Sequence, residues 1–151
     1  MTLRFDLTDT PTDCDLAAIG GGLTAFNDAD VGPSGRRALA IVLRDEAGTV
    51  VGGLSGYTAW GWLYTQWLWL AESARGQGLA ARLLDMAETE ARARACHGAH
   101  IDTFSPTALR VYQRQGYEVF GTLPDFPPGR SRFFLRKALT GAGLPARGSG
   151  Q

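Results

Sequence analysis

Hydrophobic and polar positions alternate along several stretches of this chain, which is the period of β-strands. Residues 3–7 alternate and predict a short first strand. Residues 38–44 and 49–57 are rich in β-forming side chains, and residues 45–48 (Asp-Glu-Ala-Gly) have the composition of a tight hairpin turn. Residues 63–70 form an apolar run that is too short for a helix between turn signals. We therefore predict an antiparallel pair followed by a further strand.

The first predicted helix begins at residues 10–13, where Thr-Pro-Thr-Asp offers a cap and first-turn residues. It would extend to about Phe26. Residues 20–22 are all glycine, and each costs about 1 kcal/mol relative to alanine inside a helix. The sequence therefore predicts two short helices or a break at these glycines.

A second helix, with a strong helical period, is predicted over residues 79–95. Its apolar residues lie on one side and its charged residues on the other. On the charged side, Glu88 precedes Arg92 and Glu90 precedes Arg94 by four residues, which is the favourable order for ion pairs on an exposed helix face.

The second half of the chain adds short strands around a third helix. Residues 101–104, 117–121 and 132–137 have strand composition. Ser105 provides a hydroxyl cap followed by proline at the first helical position, and Gly116 would end that helix. The predicted order is strand, helix and two strands.

These elements predict an α/β protein of the α+β type, with a mixed, mostly antiparallel sheet of six to seven strands and helices on both faces. Residues 1–139 form one predicted domain of ordinary globular size. The tail at residues 140–151 is glycine-rich and short of large apolar groups, so we expect it to be disordered.

The charge balance argues against several classes of partner. Fifteen basic and fifteen acidic residues give no net charge, so nothing favours a general attraction to nucleic acid or anionic lipid. No stretch approaches the roughly 20 apolar residues of a membrane span, and the N-terminus lacks the apolar run of a signal peptide. The two cysteines lack metal-ligand spacing. We expect a cytoplasmic protein without a metal, nucleic-acid or membrane partner, and a homodimer stays open.

The segment Arg75-Gly76-Gln77-Gly78 lies between a predicted strand and the second helix. The first N–H groups of a helix lack partners and the helix dipole is positive there, so a diphosphate can accept several of these hydrogen bonds. Glycines allow close approach, and Arg75 adds a positive charge. Alternatively the glycines only shape the turn, and the dinucleotide fingerprint does not fit because Ala81 stands at its third glycine.

The turn and the order of elements around it resemble the GNAT superfamily of N-acetyltransferases. The family signature, Arg/Gln-x-x-Gly-x-Gly/Ala, is matched by Arg75, Gly78 and Ala80. A second family pattern, Tyr-x-x-x-Gly-Tyr/Phe at the end of a helix, is matched by the segment from Tyr112 to Tyr117. The two motifs also have the separation that is usual in that family.

The resemblance covers residues 3–139 and implies an acyl-CoA-dependent N-acetyltransferase. It would move an acetyl group from acetyl-CoA to a primary amine of a small molecule or a peptide. The cofactor arm would bind the backbone of the strand before the turn, and the pyrophosphate would bind the turn itself. The residues implied at the cofactor are Leu68, Leu70, Arg75, Gly76, Gln77, Gly78, Leu79, Ala80 and Ser105.

The resemblance also implies direct attack of the amine on the thioester, with Tyr112 as the general acid that protonates the departing thiolate. A phenol, with a pKa of about 10, is protonated at neutral pH. The alternative for Tyr112 is a core aromatic residue that packs beside Ala108.

The general base is less clear from the sequence. The family often places an acidic residue or a histidine on the strand before the turn, where this chain has Tyr64 and Gln66. Glu72 is the predicted catalytic carboxylate, Asp102 and Asp125 are the other carboxylates near the predicted pocket, and a water chain could serve instead.

The four tryptophans at positions 60, 62, 67 and 69 alternate through neighbouring segments. Core packing would explain most of them, and one or two could wall the acceptor pocket. Two functions therefore stay open: an N-acetyltransferase, and a catalytically silent acyl-CoA-binding module of the same fold with a regulatory role. Tyr112 favours the enzyme, and the missing base on the strand favours the module.

Overall fold

The computed structural model describes residues 1–141 and 143–144. They form two compact units, Met1–Ser34 and a second unit that begins at Gly35. Most of the tail that was predicted to be disordered, residues 142 and 145–151, lies outside the described residues. No helix within the described ranges is long and apolar enough to cross a lipid bilayer.

The first unit contains one helix, α1 (Asp13–Val31). Thr12 caps it, because its side chain accepts a hydrogen bond from the Asp15 N–H at 3.1 Å, as the start signals predict. The predicted break at residues 20–22 is wrong. Glycine lowers helix stability but keeps its N–H and C=O, so it does not interrupt the hydrogen-bond ladder as proline would.

The predicted strand at residues 3–7 is also wrong, because these residues have no regular secondary structure. A strand of this length needs a partner to satisfy its backbone groups. Within the described ranges, no strand pairs with this segment. Alternation of apolar residues alone therefore does not produce a strand here.

The second unit is a six-stranded sheet with two helices and short connections. Its elements are β1 (Arg37–Arg44), β2 (Val50–Ala59), β3 (Trp62–Leu70), α2 (Leu79–Ala93), β4 (Gly98–Thr103), α3 (Pro106–Arg114), β5 (Glu118–Pro124) and β6 (Ser131–Ala138). The strand order is β1-β2-β3-β4-β6-β5, and all neighbours are antiparallel except β3 and β4. The predicted mixed, mostly antiparallel sheet is confirmed.

The hydrophobic core joins the sheet to α2 and α3. Because Leu63 and Ile101 lie in register with buried neighbours, one sheet face supplies the apolar surface. The helices contribute Leu84 and Ala87 of α2 and Tyr112 of α3, all in the same buried cluster. Burying this surface supplies the main drive for folding, and it fixes α3 beside the end of β4.

Glu88 of α2 does not lie on an exposed helix face as predicted. It is 1% exposed and forms an ion pair with Lys137 of β6. Arg92, its predicted partner, donates instead to a backbone carbonyl just after β6 at 3.0 Å. The other predicted pair, Glu90 with Arg94, is confirmed at 3.0 Å. The sheet covers a wider face of α2 than the apolar residues alone indicate.

A β-bulge interrupts the pairing of β2 and β3, with Gln66 as the extra residue. A Cβ atom at Gly56, opposite the bulge, would lie 1.9 Å from the Tyr64 carbonyl oxygen, so only glycine fits there. Because of the extra residue, Leu68 and Leu70 turn to the same face as Leu63, towards the core.

The same bulge places Trp67 and Trp69 of β3 on the face opposite to the core. Trp67 and Trp69 are 67% and 53% exposed, and Trp60 is also exposed. The prediction that core packing explains most of the tryptophans is therefore wrong. Strict alternation of inward and outward residues along β3, without the bulge, would predict that Leu68 and Leu70 face away from the core.

Candidate active site

The candidate site opens where β3 and β4 part. The two strands pair in parallel only from Trp62 with Gly98 to Thr65 with Ile101, and both continue beyond this point. A cavity of about 720 Å³ lies between the end of β3, the start of α2 and one side of α3. Its lining includes three consecutive residues of β3, Leu68, Trp69 and Leu70, and a strand beside an opening is the kind of surface that an extended chain with amide groups can bind.

The start of α2 faces this cavity with unpaired donors. The first hydrogen bond of the helix joins the Arg82 N–H to the Gly78 carbonyl at 3.2 Å, so the N–H groups of Leu79, Ala80 and Ala81 have no acceptor inside the helix. Gly78 provides no side-chain cap, and no acidic residue occupies the first turn. These features make the helix end suitable for a bound anion.

The two glycines of the turn adopt left-handed conformations, with φ of 76° at Gly76 and 72° at Gly78. A Cβ atom at either position would meet nothing within 4 Å, so the space in front of them is open. Arg75 lines the same cavity and its Nε donates to the Leu70 carbonyl at 3.1 Å. The turn thus presents open backbone and one guanidinium to the cavity.

The structure brings the predicted cofactor residues together, with one exception. Leu68, Leu70, Arg75, Gly76, Gly78, Leu79, Ala80 and Ser105 all line the cavity. Gln77 does not line it, and its side-chain amide donates to the Ser73 carbonyl at 3.2 Å. Gln77 therefore acts on the shape of the turn in this structure.

The cap of α3 places Tyr112 beside the cavity. The Ser105 hydroxyl accepts a hydrogen bond from the Ala108 N–H at 3.2 Å, and Pro106 occupies the first turn, as predicted. Tyr112 is 6% exposed. Burial, and then the nearby charge of Asp102, raise the pKa of Tyr112 to about 12. The phenol therefore carries its proton at neutral pH.

A second cavity, of about 530 Å³, adjoins the first. We call it the acceptor cavity, after the acceptor pocket that is expected from the sequence. Its walls come from the bulged part of β3, the end of β4, and β6, and it includes Gln66, Phe104 and Arg132. The two cavities share the residues Leu68, Trp69, Ser105, Ala108 and Tyr112. Tyr112 thus lies at the junction, where groups held in the two cavities would meet.

Asp102 of β4 lines the acceptor cavity and is held at both of its oxygens. The Tyr64 hydroxyl donates to Oδ1 at 3.3 Å, and Arg132 Nη1 donates to Oδ2 at 3.0 Å. Burial, and then the charge of Asp102, raise the pKa of Tyr64. The sequence identified Asp102 as an available carboxylate, but it did not identify Arg132, which lies on another strand and 30 positions away.

The structure does not bring Glu72 into either cavity. Glu72 begins a short 3₁₀ turn, Glu72–Ala74, and its side chain is exposed. Asp125 is likewise absent from both linings, and it accepts a hydrogen bond from the Gly129 N–H at 3.4 Å. Of the three carboxylates considered from the sequence, Asp102 is the one that faces the acceptor cavity.

The two histidines lie away from the cavities. His100 stacks on Tyr64 with ring centroids 4.7 Å apart, and His97 meets Trp62 edge to face at 5.2 Å. Burial lowers the pKa of His100. Neither side chain lines the described cavities, so the arrangement offers a phenol and a carboxylate for proton chemistry.

Comparisons with known proteins show which family this chain resembles. The family model "Acetyltransferase (GNAT) family" matches residues 16–117. An acetyltransferase of Agrobacterium fabrum is 46% identical over 135 residues, which span 89% of this chain and 98% of that protein. A blasticidin-S acetyltransferase of Streptomyces morookaense is 41% identical over 95 residues, which span 62% of this chain and 70% of that protein.

Solved structures of acetyltransferases have a similar fold. The crystal structure of a candidate acetyltransferase from Agrobacterium tumefaciens superposes with a TM-score of 0.87 at 46% identity, covering 90% of this chain and 99% of that one. An acetyltransferase from Bacillus cereus superposes with a TM-score of 0.77 at 26% identity, covering 88% and 97% of the two chains.

Proposed function

Since this chain belongs to the acetyltransferase (GNAT) family, we propose that it transfers the acetyl group of acetyl-CoA to a primary amine. The observation that carries this proposal is the pair of adjoining cavities with Tyr112 at their junction. One cavity suits a cofactor with a diphosphate, and the other suits the acceptor. The acceptor is a small molecule or a peptide, and the reaction takes place where the two cavities meet.

The residues of the first cavity fit acetyl-CoA as co-substrate. The pyrophosphate would accept hydrogen bonds from the first N–H groups of α2, and Arg75 would add a charge-assisted contact. The pantetheine arm would lie along the backbone of Leu68 and Leu70. A backbone N–H of this strand would polarise the acetyl carbonyl and stabilise the oxyanion that forms on it.

Direct transfer involves two proton movements, one to the departing thiolate and one from the attacking nitrogen. The neutral amine attacks the thioester carbon, the carbon–sulfur bond breaks, and the Tyr112 hydroxyl donates a proton to the departing thiolate. The nitrogen loses its extra proton to water or to a carboxylate. Tyr112 then recovers a proton from solvent, so the enzyme returns to its starting state.

An assay of free thiol release tests the proposal. The protein is mixed with acetyl-CoA and a panel of amines, and blasticidin S is included because one relative is named for its acetylation. An acetyltransferase releases free CoA only when an acceptor is present. A silent acyl-CoA-binding module would bind acetyl-CoA in calorimetry and release no thiol with any amine.

We expect Gly78→Ala to weaken acetyl-CoA binding by about 10- to 100-fold, because the added methyl group enters the open space where the diphosphate would approach the backbone. Isothermal titration calorimetry measures this change. Gly48→Ala is the matched control: Gly48 has φ of 82°, a Cβ there also meets nothing within 4 Å, and it lies in the hairpin turn between β1 and β2. Both variants carry similar backbone strain, so equal cofactor affinity in the two would contradict the assignment.

A further inference from the structure

The acceptor cavity contains one ion pair, formed by Asp102 and Arg132. Within the described part of the chain, they are the only charged residues among its lining residues. Asp102 lies on β4, which borders the opening beside β3, and Arg132 lies on β6, one strand further out. The cavity is therefore neutral overall, and the charge of its negative group, Asp102, acts on Tyr112.

Asp102 retains acceptor capacity after its two recorded bonds. A carboxylate has about four lone-pair positions, and the hydroxyl of Tyr64 and Nη1 of Arg132 use one on each oxygen. Its side chain is 19% exposed, at the cavity wall. The two bonds hold the carboxylate in place, and the remaining positions can accept hydrogen bonds from an ammonium group.

Arg132 also has donors to spare. Nη1 binds Asp102, and the guanidinium lies over the Phe126 ring at 4.0 Å and near the Phe104 ring at 5.2 Å. Its Nε is buried and, among the described residues, has no hydrogen-bond partner. A guanidinium has five donors in a planar fork that matches a carboxylate. A guanidinium whose plane is fixed and which has an unpaired donor is suited to binding a carboxylate.

Charge complementarity then selects among acceptors. An amine with no other charge would place a second cation beside Arg132, and a polyanion would meet Asp102 and the tryptophans of β3. A zwitterion, with an ammonium group next to Asp102 and a carboxylate next to Arg132, opposes each charge with its opposite. Trp67 and Trp69 would contact the rest of such a molecule, because both line the same cavity.

We propose that the acceptor is an amino acid or a molecule with an amino-acid unit, in which Asp102 binds the reacting amino group and Arg132 binds the carboxylate. This inference rests on the proposed acetyltransferase function and names its substrate class. It makes Asp102 and Arg132 specificity-determining residues that contact the acceptor.

The test compares matched acceptors that differ only at the carboxylate. Phenylalanine, tryptophan and leucine are each assayed beside the corresponding amide and the decarboxylated amine, with acetyl-CoA and detection of free thiol. We expect kcat/KM to be about 10- to 100-fold higher for the free amino acids, the usual worth of a charge-assisted bidentate contact. Arg132→Leu should lower kcat/KM for the amino acids to the level of their amides and so abolish the preference for a free carboxylate.

Arg136→Leu is the matched control, because Arg136 lies on the same strand, pairs with Glu118 at 3.0 Å and lines neither cavity. It should keep the preference for free amino acids. If Arg132→Leu does not fold, Arg132→Lys, which keeps the charge and loses the fork, should reduce the preference by itself.

Equal rates with amino acids and amides would overturn this inference and leave the acetyltransferase function intact. A preference for free amino acids that persists in both Arg132 variants would do the same. Faster reaction with the amides would identify a peptide N-terminus as the acceptor. Absence of thiol release with every amine in this set and in the wider panel overturns the proposed function together with the inference.

Discussion

We expect Tyr112→Phe to lower kcat by about 10²–10⁴-fold, which is the usual contribution of a positioned general acid. The substitution removes one hydroxyl and keeps the ring that packs in the core. Because protonation of the leaving thiolate matters only as the carbon–sulfur bond breaks, the loss should appear in kcat and much less in KM. Steady-state thiol release at saturating acetyl-CoA measures both constants.

The pH profile gives a second check on Tyr112. Burial and the charge of Asp102 raise the pKa of Tyr112 to about 12, so its acid form persists until the pH approaches that value. The wild-type kcat should therefore show no alkaline decline from Tyr112 below that pH.

Tyr117→Phe is the control for the loss of kcat in Tyr112→Phe, since Tyr117 is a buried tyrosine of the same core that lines neither cavity. A folded Tyr112→Phe enzyme with wild-type kcat would return Tyr112 to a packing role.

The second large effect concerns stability. We expect Lys137→Met to lower the free energy of unfolding by about 3–5 kcal/mol, because it leaves the carboxylate of Glu88 buried without its partner. Urea denaturation followed by circular dichroism measures the loss. Arg136→Met breaks an ion pair whose acid, Glu118, is 56% exposed, so it should cost no more than about 1 kcal/mol.

A double variant separates the ion pair from simple packing. Glu88→Leu together with Lys137→Met removes both charges and keeps apolar volume at the site. Replacing a buried ion pair in this way is often neutral or stabilising, so the double variant should recover most of the stability lost in Lys137→Met. If the double variant is as unstable as the single one, the methylenes of Lys137, and not its charge, stabilise the contact between α2 and β6.

The features that the sequence predicted correctly depend on neighbouring residues. The caps at Thr12 and Ser105 are local hydrogen bonds between a side chain and an N–H three residues later. The hairpin turn is equally local, because Asp45 Oδ1 accepts from the N–H groups of Ala47 and Thr49 at 2.9 Å each. A sequence contains both partners of such bonds within one short window, so their positions follow from residue type and spacing.

The features that it missed depend on partners far along the chain. Glu88 looks exposed by helical period, and its burial follows from Lys137 on a strand 49 positions away. The bulge at Gln66 exchanges the inward and outward residues in the second half of β3, and it requires a residue without a side chain at Gly56. Arg132 joins the candidate site only because β6 lies beside β4.

The turn and Tyr112 could be placed because family motifs mark them, whereas the acceptor side could not. Short motifs identify the turn whose backbone must be accessible to a ligand and the tyrosine whose phenol lies beside it. They do not identify which side chains three strands bring together, and the predicted base, Glu72, lies outside both cavities. Acceptor selection therefore has to be derived from the assembled sheet.

The short parallel contact between β3 and β4 also has a mechanical consequence. Strands β1 to β3 form one part of the sheet, and β4, β6 and β5 form another. Among the described residues, the strand pairing that joins the two parts runs only from Trp62 with Gly98 to Thr65 with Ile101. These pairs hold the two parts together at one end, and β3 and β4 separate towards the other end. A ligand whose amide groups form hydrogen bonds with both β3 and β4 in this gap would act as an additional strand and stiffen the whole sheet. Hydrogen exchange at the backbone of Gln66 to Leu70 should therefore slow when such a ligand binds, including at residues whose side chains never touch it.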